Sequence, residues 1–228
     1  MKPAMRSALA LAAILQFGVS ADGSLAATKD SNVTFKVIIT NVSKDDTLVI
    51  PGAARVRAPI APGVFAVSAD GAAIFTPGKP AGSAGLEALA EDGNVEPLQN
   101  DLALKFGQQS GMFVPGQSFF VSAKPGDRLS FATMFVQSND KFYAPMGGSL
   151  ALFDKSEKAM SGDLTASIRL YDAGTEVDQQ PGAGTDQAPR QKAAGQGAMQ
   201  GRVVAEAADG FSYPAVAAVI RVTVSPLQ

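Results

Sequence analysis

Three acidic side chains stand where the chain leaves a strand pattern for a loop: Asp140, Asp172 and Glu176. Asp172 and Glu176 flank a glycine in Asp172-Ala-Gly-Thr-Glu176, and Pro181, Gly182, Gly184 and Pro189 keep the next residues from resuming a regular ladder. Asp140 lies in the polar stretch Gln137 to Phe142, directly after an apolar run. Carboxylates gathered at a loop mouth cap turns, face water or hold a hard cation through their oxygens. Brought within a few ångströms of one another, three of them repel strongly unless a cation sits between. Oxygen-only donors, in a chain without histidine or cysteine, favour Ca²⁺ over Mg²⁺. Spacing alone leaves the three readings open, since there is no Asp-x-Asp-x-Asp-Gly loop. Asp140 and Glu176 also qualify as the acid and base of a hydrolase, although no nucleophile motif accompanies them.

These acids need strands to bring them together. Leu164 to Tyr171 alternates Ala166, Ile168 and Leu170 with polar residues and reads as a half-buried strand ending at Asp172. Leu129 to Val136 is apolar on both faces and reads as a central strand releasing its chain toward Asp140. Asn32 to Ser43 is the clearest strand, with Val33, Phe35, Val37 and Ile39 on one face. Ala72 to Phe75 is a further strand candidate, and the last strand lies within Phe211 to Val224. Gly111 to Val121 and Arg128 to Val136, separated by the turn Lys124-Pro-Gly-Asp127, are expected to pair as a hairpin. Helix signals are confined to a stretch that begins at Ser83 or Ala84 and is stopped by Gly93, and to Val95 to Phe106, where Leu98, Leu102 and Phe106 share a face. The sum predicts an all-β fold, an antiparallel β-sandwich of about eight strands with a short helical insertion.

Composition narrows the chemistry. The 228 residues contain no Cys, His or Trp, which removes disulfides, thiol nucleophiles, the usual zinc ligands and imidazole acid/base work. A formal charge of −2 with no basic run argues against nucleic acid as a partner. Lys2 and Arg6 precede an apolar run from Ala8 to Val19, succeeded by small-residue exits up to Ala27. Residues 1–27 therefore read as a signal peptide, too short to span a membrane, and residues 28–228 as one exported domain, periplasmic or secreted.

The segments MFVQSNDKFYAP (Met134 to Pro145), GDLTASIRLYDAGTEVDQQPG (Gly162 to Gly182) and GTDQAPRQ (Gly184 to Gln191) resemble the spondin N-terminal domain family, found in animal matrix proteins and exported bacterial proteins. The run AGLEALAEDGN (Ala84 to Asn94) looks like the helical excursion of the bacterial members, and the resemblance covers most of residues 32–224. It implies a sandwich akin to calcium-dependent phospholipid-binding domains, with one Ca²⁺ held between loops at one end. Carried over residue by residue, the side-chain ligands are Asp140, Asp172 and Glu176. The chain departs from the pattern where Asn139 replaces a proline, Lys141 replaces an aromatic residue and sets a cation beside the site, and Glu176 is one methylene longer than aspartate. The implied function is a non-enzymatic, calcium-binding module that adheres to a matrix or envelope partner, protein or polysaccharide. The alternatives are a carboxylate-based hydrolase of envelope or extracellular polymers and a purely structural envelope protein.

Overall fold

Period-two alternation in the first strand segment has the expected result. In β1 (Val33–Asn41) Phe35, Val37 and Ile39 are fully buried while Thr34 and Lys36 point the other way. The computed structural model in which this is seen describes residues 32–227, so the signal peptide read over residues 1–27 lies outside the described residues. Two short strands, β2 (Leu48–Val49) and β3 (Arg55–Val56), pair only with each other, and β4 (Ile60–Ser68) comes next. The chain then turns helical where the leucine spacing predicts, in α1 (Ala84–Asp92) and α2 (Glu96–Phe106). Ser83 caps α1 by accepting from Leu86 N, and Gly93, at φ 68°, ends it.

Six strands come after α2 in order: β5 (Ser110–Phe113), β6 (Ser118–Ala123), β7 (Arg128–Phe135), β8 (Lys141–Pro145), β9 (Leu150–Ala151) and β10 (Gly162–Asp163). The chain finishes with β11 (Ile168–Asp172), β12 (Ala205–Glu206), the single turn α3 (Val216–Val219) and β13 (Ile220–Pro226). Among the described residues, eight of the thirteen strands have four residues or more, and the other five are two-residue pairings.

The strands pair antiparallel throughout these residues. One sheet runs β10-β13-β1-β6, and the other runs β12-β11-β8-β7-β4-β5 with β9 also on β7. Phe35, Val37, Val121 and Val222 of the first sheet pack on Phe65, Phe131, Phe135 and Leu170 of the second, making a sandwich core. The opposite face of the second sheet, with Val64, Ala132, Phe142 and Tyr171, is covered by Leu86, Leu89, Leu98 and Leu102 of the helices. That sheet is therefore a middle layer, which is why β7 is apolar on both faces.

Several expectations are corrected. β6 and β7 do not form a hairpin: β6 pairs with β1, and β7 lies between β4 and β8. Their inward aromatic residues belong to opposite sheets, and the Lys124–Asp127 turn carries the chain across the sandwich. β11 starts only at Ile168, because Asp163 Oδ1 accepts from Thr165 N and residues 165–167 coil into a 3₁₀ turn. Ala72 to Phe75 is loop, with Phe75 buried edge-on against Phe142 and Tyr171. Before Ile220 the last segment holds α3 instead of a longer strand.

α1 meets α2 through Gly85, where a Cβ would lie 2.8 Å from the Leu98 backbone. Alanine is the better helix former by about 0.5–1 kcal/mol, but overpacking costs about 1–3 kcal/mol. Gly85→Ala should therefore destabilise by about 1–2 kcal/mol, read as a lowered urea midpoint at unchanged m-value.

Candidate functional site

The β7–β8 connection places Asp140 immediately before β8, and β8 pairs with β11 so that Lys141 lies opposite Asp172. The two acids meet because β8 begins where β11 ends. β7 and β11 run the same way, with β8 between them. Three oxygens, one each from Asp140, Asp172 and Asp178, lie within 4.8 Å of one another. At an effective dielectric of 20, each such pair of charges repels by about 3.5 kcal/mol.

The cation that relieves this repulsion is Lys141. Its ammonium nitrogen lies 3.2 Å from Asp140 Oδ1, 3.0 Å from Asp172 Oδ2 and 3.3 Å from Asp209 Oδ2, and it also donates to Asp178 Oδ1. The lysine side chain is 0% exposed. Burial works against the charged ammonium, but Asp140, Asp172 and Asp178 outweigh it and raise the lysine pKa above its ordinary value. Burial pushes the Asp172 and Asp178 carboxyls up. Asp209 is also desolvated, yet hydrogen bonds from Tyr213 and Phe211 N, with the Lys141 charge, bring it below its ordinary value.

Each carboxylate has a second task. Asp140 Oδ2 accepts from Thr175 N (2.9 Å) and Glu176 N (3.1 Å). Asp172 Oδ1 accepts from Gly174 N (2.7 Å), Asp178 Oδ2 from Gln200 Nε2 (3.3 Å), and Asp209 Oδ1 from Phe211 N (2.9 Å). One oxygen of each acid thus faces the ammonium, and the other holds a loop.

The predicted trio is split. Asp140 and Asp172 converge, whereas the Glu176 carboxylate does not join the cup: Asn139 Nδ2 donates to its Oε1 (3.0 Å), and its Oε2 is buried without a partner. The Thr175 hydroxyl donates to Asp140 Oδ2 (3.4 Å), and Glu91 of α1 is near enough for its charge to act on Glu176. Both acids are more than nine-tenths buried. Desolvation, reinforced by the charges of neighbouring carboxylates, pushes both up to about 7. Gly197 lies directly over Glu176 Oε1, with no room for a Cβ between them.

Asp178 and Asp209 are the members of the cup that sequence reasoning misses. Asp178 carries a faint signal, two residues beyond Glu176 in the same loop. Asp209 carries none, being brought in by the chain that returns from β12. A neighbouring network is made of amides: the fully buried Gln187 donates to Gln180 O (3.0 Å) and accepts from Gly182 N (3.1 Å), while Asn139 Oδ1 accepts from Gln179 N (3.0 Å).

A scan of the chain against protein-family models finds no match, and no curated protein matches it. The donors can therefore be judged only on their own geometry. In type and spacing, carboxylate oxygens within 4.8 Å of each other suit a hard divalent ion. Lys141 Nζ contacts all three acids that supply these oxygens and fills the space between them, so the residues as folded do not fit Ca²⁺ and ammonium together.

The neighbouring glutamates set a pH dependence. Between about 4.5 and 7 the folded chain keeps protons on Glu91 and Glu176 that the unfolded chain releases, so stability falls as pH rises through that window. Glu176→Gln, permanently neutral, should melt several degrees above wild type at about pH 8 and close to it at about pH 5. Thermal melts at the two pH values check this.

Proposed function

We propose that the protein is an exported, non-enzymatic binding module of the spondin type, in which a cation-centred carboxylate cup fixes the loops at one end of the sandwich as a contact platform for an envelope or matrix partner. The observation that carries this reading is the double use of each acid, one oxygen on Lys141 and one on a loop. Acids occupied in that way organise structure and are not free to transfer protons.

The cup holds residues 174–176, and these with Val177 hold the returning chain: Val177 N donates to Ala198 O (2.8 Å), Gln200 N to Thr175 O (2.8 Å) and Arg202 N to Gly174 O (2.7 Å). Gly174, at φ 71°, lies so close to Arg202 O that a Cβ would be 2.7 Å away. This pairing displays Met199 at 88% exposure, with Val177 and Val203 each at 45%. Beside them an open cleft of about 450 Å³ is lined by Ser83, Glu87, Thr175, Met199 and Arg202. Apolar side chains held out on a braced loop, with an exposed arginine alongside, suit contact with a protein or polysaccharide surface.

A carboxylate-based hydrolase is the second reading, favoured by the Glu91 and Glu176 carboxyls that titrate near neutrality. Against it, Glu176 is covered by the Gly197 backbone and has no open approach.

Sedimentation of the protein with isolated cell envelopes and matrix polymers tests the platform. Met199→Asp should weaken retention by about tenfold while leaving the melting temperature unchanged. Retention indifferent to Met199, together with ester or glycoside turnover that disappears in Glu176→Gln, would replace the module by the hydrolase.

A further inference from the structure

We propose that Lys141 is a cation supplied by the chain itself to a carboxylate cup of the divalent-ion type, so that the loop platform closes without metal and the metal position is shut in the native protein. This role rests on the cup as the brace of the platform, and does not depend on which partner the platform meets.

Position speaks first. Lys141 is the first residue of β8 and lies in ladder register with Asp172, and its N–H donates to Ser138 Oγ (3.1 Å), so its backbone is fixed by the middle sheet and the turn that enters it. From there the side chain ends among four carboxylates, with no exposed surface. A divalent ion coordinated by the same oxygens would sit about 2.3–2.6 Å from each. Asp140, Asp172 and Asp178 bring an oxygen each within 4.8 Å of one another, and the ammonium nitrogen, in contact with all three, fills the space between them. Metal and ammonium are alternatives, not companions.

Exchange points the same way. An ion from solution must be captured from bulk and can be lost to a chelator, whereas an ammonium on a four-carbon stem is always present at the site. For a metal ion to enter, Lys141 must withdraw from the four carboxylates that it now contacts. A buried ammonium without partners is far costlier than one in contact with four carboxylates. Calcium's extra charge is thus opposed by the expulsion of the lysine.

The loop contacts complete the case. Thr175 N, Glu176 N, Gly174 N, Gln200 Nε2 and Phe211 N each bond the second oxygen of an acid whose first oxygen faces Lys141. That is the work a structural ion does between loops, done here by a side chain. Removing the ammonium while keeping the stem should open the position to a true ion. Methionine is unbranched and ends one atom short of the lysine nitrogen.

The test is calorimetric melting of the full chain and of Lys141→Met, each in EDTA and in millimolar CaCl₂, with calcium titration calorimetry on both. Wild type is expected to melt at one temperature in both buffers and to give no calcium heat. Lys141→Met is expected to melt lower in EDTA and to recover by about 5–10 °C in CaCl₂, and Lys141→Met with Asp178→Asn should lose that recovery. Should Lys141→Met not fold without metal, refolding it in CaCl₂ takes its place, and folding only with calcium supports the proposal. Wild type melting several degrees higher in calcium, or a Lys141→Met variant indifferent to calcium or unfolded in both buffers, overturns it. Loss of partner retention with these calcium responses intact would sink the platform reading and leave this one standing.

Discussion

A lysine with no solvent exposure is tolerable only if its charge is matched, and matching it organises this end of the molecule. Lys141 draws acids from the β7–β8 turn, the end of β11, the loop beyond it and the chain after β12. The conformation of residues 173–177 is dictated by charge: Asp140 and Asp172 must face the ammonium, and their remaining oxygens then demand donors, which Gly174, Thr175 and Glu176 supply from the backbone. Breaking a buried pair by removing one partner typically costs about 3–5 kcal/mol, much of it the penalty of the charge left behind. Here four acids would be left.

The middle sheet makes the arrangement possible. β8 and β11 are buried on both faces, with Phe142 and Tyr171 stacked under the helices and Tyr143 and Leu170 in the sandwich core. Strands held on both sides do not slip, and a one-residue slip would turn Lys141 to the other face. The register that sets Lys141 against Asp172 is therefore fixed by apolar packing some residues away from any charge. Hydrophobic burial positions the ladder, the ladder positions the ammonium, and the ammonium positions the loops.

Strand content, the helical insertion with its cap and stop, and the double-sided burial of β7 are legible in the sequence because each depends on local periodicity or on a single residue such as Gly93. Partner choice is not. The Lys124–Asp127 turn looks like a hairpin turn whether the next strand joins the same sheet or crosses to the other, and only the packing of Phe119 of the first sheet against Phe65 and Phe113 of the second separates the two. Of the acids, Asp140 and Asp172 announce themselves at strand ends. Lys141 is visible as a charge beside them, but which way its side chain turns depends on Asp178 and Asp209, residues with little or no local signal.

Glu176 has its backbone and its side chain in different networks. Its backbone is tied to Asp140 Oδ2 like that of its neighbour Thr175, yet its longer side chain passes the cup and ends beside Asn139 and Glu91. The Lys141 cup already holds four carboxylates against one ammonium, so a fifth acid there would add repulsion without adding a cation. Beside Glu91 the same group finds a desolvated place where neutrality is cheaper than charge, and its pKa rises to about 7. Two acid clusters, one gathered around a lysine and one that holds its protons, thus lie against each other on the same five-residue element. They coexist because the backbone between them is tied to the cup: Thr175 N–H and hydroxyl and Glu176 N–H all donate to Asp140 Oδ2, while Asn139 Nδ2 holds the Glu176 carboxyl away from it.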